Sequence, residues 1–144
     1  MMDERIKEHL QHLNKYYLLL QKTKDIEFDQ FRTDPVQQAS AERFLQLAIE
    51  SCLNIGNRMI SLLQFDKAVK PPETYADIFV ELESLGVVGP EFSKRLIQMA
   101  KFRNRLVHLY WDLDQKAVYD SIQNNLDDFK LFQERVVSYL KTMK

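Results

Sequence analysis

DPVQQASAERFLQLAIESCLNIGNRMISLLQ, residues 34–64, is the stretch that decides the fold. Asp34 can cap the free N–H groups of a helix and Pro35 fits the first helical position, so the stretch begins as a helix. Gly56 costs about 1 kcal/mol relative to Ala inside a helix, which predicts close packing against a neighbour at this point. Apolar side chains recur every three or four residues and give the helix one buried face; they are Leu45, Ala48, Cys52, Ile55, Met59 and Leu62.

Helical spacing continues along the rest of the chain, where three glycines and four prolines separate the segments. No segment has the alternation expected of a strand. We therefore predict an all-α fold, an up-and-down bundle of four to five helices that forms a single domain over residues 1–144. The predicted helices are Asp3–Lys22, Pro35–Gln64, a short one from a Thr74 cap to a stop at Gly86, one opening at Gly89-Pro90, and one from an Asp114 cap to the C-terminus, with a short turn around Asp25–Arg32.

The composition favours a protein of the cytoplasm. Apolar residues make up 45% and charged residues 28% of the 144 positions, which suits a buried core and a solvated surface. The apolar runs are far shorter than the roughly 20 residues of a membrane-spanning helix, and the first residues do not resemble a signal peptide. The single cysteine, Cys52, excludes an internal disulfide and fits the interior of a protein in a reducing compartment.

The sequence shows no pattern for a metal or another cofactor, so we expect neither. There is no glycine-rich phosphate loop and no His/Cys cluster with ligand spacing. Two acid pairs could in principle bind magnesium, Asp112 with Asp114 and Asp127 with Asp128. Carboxylates near a helix start or on a solvated face are far commoner than such a site, and that is the interpretation we prefer.

The charge is unevenly distributed along the chain. The net charge of −1 argues against a protein held on nucleic acid by bulk electrostatics. However, the segment from Phe92 through Trp111 contains no acid and carries five basic residues: Lys94, Arg95, Lys101, Arg103 and Arg105. Two interpretations of this segment stay open: a solvated helix face, or a surface that contacts a polyanion.

Arg103 lies where the helical pattern requires an apolar residue. The buried stripe that includes Leu96 and Ala100 continues directly to Arg103. A guanidinium in such a position needs an anion, a carboxylate or a wet cavity, because burying it unpaired is costly. The polar positions of the long helix offer Glu50 or Glu42 as the partner.

His108, five residues further on, supplies a group that can transfer a proton near pH 7. Asn104 lies one turn before His108 on the same face and could orient the imidazole. Without further information, an Arg and a His near a helix end are more often capping or surface residues than a catalytic pair.

Arg103, His108 and Tyr110 spell R-x4-H-x-Y, and this motif resembles that of the HepT-like HEPN ribonucleases. Asn104 matches as well, since a polar residue commonly follows the arginine in that family. The segment Glu42–Glu50 resembles the family's long-helix signature, and the segments Pro71–Leu85 and Met99–Asp114 resemble its later blocks. The resemblance therefore covers nearly the whole chain.

The resemblance implies the toxin of a type VII-like toxin–antitoxin system, a homodimer that cleaves RNA without a metal. Arg103 and His108 would be catalytic, with Asn104 orienting the histidine or the phosphate. The implied partner is an MNT-type nucleotidyltransferase antitoxin, which would transfer AMP to Tyr110. Lys101 and Arg105, in the same basic segment, are the candidate contacts to the RNA substrate.

Two questions remain open at the level of sequence. On a regular helix Arg103 and His108 are about 140° apart, so either the helix is distorted before His108 or two copies of the motif meet across a dimer. The family favours the dimer. The alternative function is a non-catalytic HEPN module that binds nucleotide or docks a nucleotidyltransferase; a purely structural bundle is the third possibility.

Overall fold

The computed structural model describes residues 2–65, 67, 69–108 and 113–143, and the regular secondary structure in these ranges is helical. Seven helices lie within these ranges, and the all-α class predicted from the sequence is confirmed. In chain order they are α1 (Glu4–Lys24), α2 (Phe28–Phe31), α3 (Pro35–Leu63), α4 (Tyr75–Ser84), α5 (Pro90–His108), α6 (Gln115–Asn125) and α7 (Asp127–Leu140).

The described residues form seven helices, more than the four to five predicted, and two differences account for this. The turn expected near Asp25–Arg32 is the single-turn helix α2. The C-terminal helix, expected to be continuous, is divided at Leu126 into α6 and α7. Asn124 and Asn125 precede the division and are weak helix formers. Leu126 itself keeps helical angles, φ −59° and ψ −37°, and is buried, so the chain bends there without a loop.

Side-chain caps explain where the principal helices begin. Asp34 accepts hydrogen bonds from the amides of Val36 and Gln37, which confirms the predicted start of α3. Thr74 and Asp77 form a reciprocal capping box at α4, although Asp replaces the usual Glu or Gln.

The end of α4 depends on a glycine. Gly86 has φ 84°, in the left-handed region that glycine adopts at little cost. The amides of Val87 and Gly86 donate to the carbonyls of Leu82 and Glu83, 2.9 and 3.0 Å away. This is the Schellman pattern of a helix C-terminus. It turns the chain back, so that α5 packs against α4.

The core lies around α3, which contacts every other helix. Gly56 confirms the predicted close packing, because a Cβ added there would lie 2.5 Å from Ile78 Cγ2 of α4. The interior includes Cys52, whose thiol pKa is raised by burial. No helix among the described residues is sufficiently long and apolar to span a bilayer.

Candidate active site

The Arg103 side chain is held against α3 by a carboxylate. Its Nε and Nη2 donate to the same oxygen of Glu50, at 3.1 and 2.9 Å. The pair is largely shielded from water, with side-chain exposures of 16% for Arg103 and 28% for Glu50. Of the two carboxylates considered from the sequence, Glu50 is therefore the partner, whereas Glu42 accepts a hydrogen bond from Gln115 of α6.

Three further side chains surround this ion pair. The guanidinium carbon of Arg103 lies 4.8 Å from the ring centroid of Tyr75, the first residue of α4. Gln46, one turn before Glu50 on α3, donates to the same carboxylate oxygen at 3.0 Å. Asn104 Oδ1 lies 3.5 Å from Arg103 Nη1. The guanidinium is thus fixed between a carboxylate and an aromatic face, contacts that favour one orientation.

This arrangement leaves one edge of the Arg103 guanidinium available for a further partner. A guanidinium has five N–H donors, and Glu50 uses two of them. The Nη1 edge faces away from the carboxylate and makes only the long contact to Asn104. The N–H groups of this edge could donate hydrogen bonds to a phosphoryl oxygen, while Glu50 balances the charge of the guanidinium.

His108 is exposed and ends α5, which remains an α-helix through this residue. The distortion considered as one explanation of the R-x4-H spacing is therefore not observed. Within one chain Arg103 and His108 point about 140° apart around the helix axis. Among the described hydrogen bonds, Asn104 contacts Arg103 and none joins it to His108, so the expected orienting bond is not observed either.

Lys101 and Arg105 lie on the His108 side of α5. Each is exposed, and each is two positions, about 200°, from Arg103 on the helix. Both line a pocket of about 590 Å³ between α5 and α6. The basic segment is thus divided: Arg103 faces α3 and α4, and the two candidate RNA contacts face the other way.

Tyr110, the predicted AMP acceptor, lies outside the described residues, and its assignment stays a prediction. Sequence reasoning missed the contribution of Tyr75 and Gln46 to the arginine site. For Gln46 the available signal was its i, i+4 spacing to Glu50 on the long helix. No sequence signal brings Tyr75 to Arg103, because that contact depends on how α4 packs on α5.

Asp127 and Asp128, in the first turn of α7, both have protein partners. Asp127 accepts a hydrogen bond from the Tyr17 hydroxyl at 3.2 Å, and Asp128 pairs with Arg95 at 3.2 Å. These contacts join α7 to α1 and α5. Both carboxylates lie in the first turn of α7, which agrees with the preferred interpretation of this pair as carboxylates near a helix start. In the ranges that the structure describes, no group of three or more His, Cys, Asp or Glu side chains is arranged to hold a metal ion.

The helical fold is the one found in a solved HEPN toxin. The profile of the family described as "Ribonuclease HepT-like" matches residues 6–136. The chain belongs to this family.

Two curated relatives and one solved structure show the extent of the similarity. The tRNA nuclease HepT of Aphanizomenon flos-aquae is 30% identical over 139 residues, which are 96% of this chain and 92% of that protein. The mRNA nuclease HepT of Shewanella oneidensis is 29% identical over 103 residues, 72% of this chain and 74% of that one. The tri-AMPylated HEPN toxin of Shewanella oneidensis, solved with an MNT antitoxin, has a TM-score of 0.85 at 25% identity and covers 95% of this chain and 99% of its own.

Proposed function

We propose that this chain is the toxin of a type VII-like HEPN/MNT pair and a metal-independent endoribonuclease of the cytoplasm. The observation that carries the proposal is the anchored Arg103: a guanidinium fixed by Glu50 and Tyr75, five residues before an exposed histidine, in a chain of the HepT-like family. A shielded ion pair adds little net stability compared with an apolar pair, so stability alone does not account for Arg103 in this stripe.

The reaction we propose uses the RNA as its own nucleophile. The ribose 2′-oxygen attacks the adjacent phosphorus while its proton passes to His108. The bond from phosphorus to the 5′-oxygen breaks, and that oxygen takes up a proton from the solvent or from a protonated His108. Arg103 stabilises the charge that develops on the non-bridging oxygens, the kind of contribution that is usually largest. The products are a 2′,3′-cyclic phosphate and a 5′-hydroxyl.

Purified protein incubated with tRNA and with mRNA tests the proposal, since the two curated relatives are named for different RNAs. Cleavage should persist in EDTA, and His108→Ala and Arg103→Ala should each abolish it. His12→Ala is the matched control, because it removes an exposed histidine from α1. Cleavage that stops on chelation and returns with magnesium would contradict the metal-free reaction. Absence of cleavage by folded wild-type protein would favour the non-catalytic docking module.

The partner we propose is an MNT-type nucleotidyltransferase antitoxin, with Tyr110 as the acceptor of AMP. The Shewanella oneidensis toxin named above is tri-AMPylated and bound to an MNT antitoxin. Tyr110 is seven residues beyond Arg103 in the sequence, and AMP attached there would bring a phosphodiester anion toward the guanidinium and compete with RNA.

Co-expression with the antitoxin should add one or more AMP units, and Tyr110→Phe should prevent both the adduct and the neutralisation. Tyr75→Phe is the control, because Tyr75 is an exposed phenol next to Arg103. Intact-mass measurement and peptide mapping distinguish the two tyrosines. An adduct on Tyr75 or Tyr119 would contradict the assignment to Tyr110.

A further inference from the structure

A pocket of about 590 Å³ lies between α5 and α6, with parts of α3 and α7 in its wall. Its floor is apolar and consists of buried side chains, among them Leu45, Ile49 and Ile122. The volume is in the range of pockets that hold small molecules, and an apolar floor with a few polar groups is their usual character. The Arg103–Glu50 pair is not part of the pocket lining.

The rim of this pocket has the chemistry of a nucleotide site. The thioether of Met99 and the half-buried ring of Phe102 offer apolar surfaces for a base, and the guanidinium carbon of Arg105 lies 5.5 Å from the centroid of the Phe102 ring. The amides of Gln98, Asn124 and Asn125 can each donate and accept hydrogen bonds at a base edge. Such a combination recognises the face of a base by contact and its edge by polar groups.

The charges at the rim favour an anion. The two carboxylates of the lining are paired, Asp128 with Arg95 at 3.2 Å and Asp120 with Lys116 at 3.0 Å. Within the described part of the chain, neither Lys101 nor Arg105 is in an ion pair. These two exposed cations therefore give the mouth of the pocket a net positive charge.

The position of the pocket connects it to His108. Arg105 lies three residues before His108, about 4.5 Å along the helix axis, and Lys101 lies two turns before it on nearly the same face. A phosphate bound by Arg105 would therefore lie beside the imidazole, with its base directed toward the pocket.

We infer that the α5–α6 pocket binds one nucleotide, its base on the Phe102 and Met99 surfaces and its phosphate on Lys101 and Arg105. Under the proposed ribonuclease function, on which this part rests, that nucleotide neighbours the scissile bond and determines which base is preferred there. A free nucleotide presents the same chemistry, and the experiment distinguishes the two sources.

The first arm measures binding of AMP, GMP, CMP and UMP by calorimetry and by amide chemical shifts. Ser121→Phe inserts a ring into the pocket, and Ser138→Phe makes the same change at an exposed position of α7 as the control. Ser121→Phe should weaken the best nucleotide by about tenfold, the value expected for losing one base contact, and Ser138→Phe should not. Two double variants test the phosphate contacts without inserting a ring into the pocket. Lys101→Gln/Arg105→Gln should weaken nucleotide binding, and the control Lys94→Gln/Lys130→Gln should not.

The second arm sequences the RNA ends that wild-type protein and Ser121→Phe produce. A changed base preference beside the cut identifies RNA as the occupant. An unchanged preference, together with nucleotide binding that Ser121→Phe weakens, identifies a free nucleotide. If the protein binds a nucleotide in this pocket but cleaves no RNA, the assignment of the pocket stands and the ribonuclease proposal is refuted.

Two results would overturn the inference. The first is chemical shift changes that lie outside the α5–α6 pocket, or no binding of any of the four nucleotides. The second is a Ser121→Phe variant whose oligomeric state changes while its nucleotide affinity does not, since the pocket would then be an interface between copies of the chain.

Discussion

At the scale of single residues, the site depends on how Arg103 is held. Glu50 contributes one oxygen to two N–H groups and Tyr75 contributes a ring face, so the guanidinium is oriented before any phosphate arrives. Preorganised charge is worth more to a reaction than charge that must be reoriented when the substrate binds. Glu50 is in this view a positioning residue, and it should affect turnover more than RNA affinity.

We expect Glu50→Gln to lower kcat by about 10- to 100-fold, because small displacements of a charge-stabilising group have effects of this size. KM should be unchanged or lower, since the guanidinium is then freer to bind ground-state phosphate. Steady-state cleavage of a short RNA gives both constants. Glu42→Gln, which alters a carboxylate on the same helix that contacts Gln115, should leave both unchanged. A rise in kcat for Glu50→Gln would mean that Glu50 restrains Arg103 instead of positioning it.

Sequence alone identified Arg103 as anomalous but could not choose its partner. The anomaly can be detected locally, because it follows from the helical period of the apolar residues and from the cost of burying a charge. The choice between Glu50 and Glu42 depends on where α5 lies along α3, and these residues are about 12 Å apart on the helix. That displacement is set by the packing of α4, the Gly56–Ile78 approach included, and no short-range pattern encodes it.

At the scale of elements, the helix starts were the most predictable features. Asp34, Thr74 and Asp114 all accept hydrogen bonds from the first turns of their helices, as their sequence positions indicated. These caps act within four residues, so the sequence contains all that is needed. The division at Leu126 escaped prediction because no glycine or proline marks it.

Asp3 both caps α1 and pairs with a residue of α3, and its contribution to the free energy of unfolding should depend on pH. It accepts hydrogen bonds from the amides of Arg5 and Ile6 in α1 and binds Arg58 of α3 with both oxygens. The hydrogen bond from Arg58 is the largest effect and lowers the pKa of Asp3 below its usual value of 3.8. Burial opposes it, and the amide hydrogen bonds of Ile6 and Arg5 and the charge of Arg58 lower the pKa further. The stabilisation is therefore present above the unfolded-state pKa and is lost as pH falls through the folded-state pKa.

We expect Asp3→Ala to lower the free energy of unfolding by about 1 kcal/mol at pH 7, the usual value of an N-cap. The difference from wild type should shrink below pH 4, because protonated Asp3 no longer accepts these bonds as an anion. Urea unfolding at pH 7 and at pH 3 measures both. Asp29→Ala is the control, since that exposed residue caps no helix and pairs only with its neighbour Arg32. A difference that stays constant down to pH 3 would contradict the linkage.

At the scale of the whole molecule, one chain does not bring the two motif residues together. α5 is regular through His108, so Arg103 faces α3 and α4 while His108 shares its side with Lys101 and Arg105. A phosphate cannot contact both groups on one straight helix unless it bridges the helix surface. A twofold dimer resolves this, because it can place the His108 of one protomer beside the Arg103 of its partner.

Complementation between inactive variants tests that arrangement directly. In a dimer that pairs Arg103→Ala with His108→Ala, one composite site lacks both groups and the other has both. An equal mixture that exchanges subunits freely should therefore recover about a quarter of wild-type activity, since half of the dimers are mixed and each has one of two sites. Each variant exchanged with itself should remain inactive, and light scattering should report dimers throughout. If both groups acted within one chain, every protomer in the mixture would lack one of them and no activity would return, even with complete subunit exchange. A wild-type protein that is monomeric at micromolar concentration and still cleaves RNA would exclude the shared site altogether.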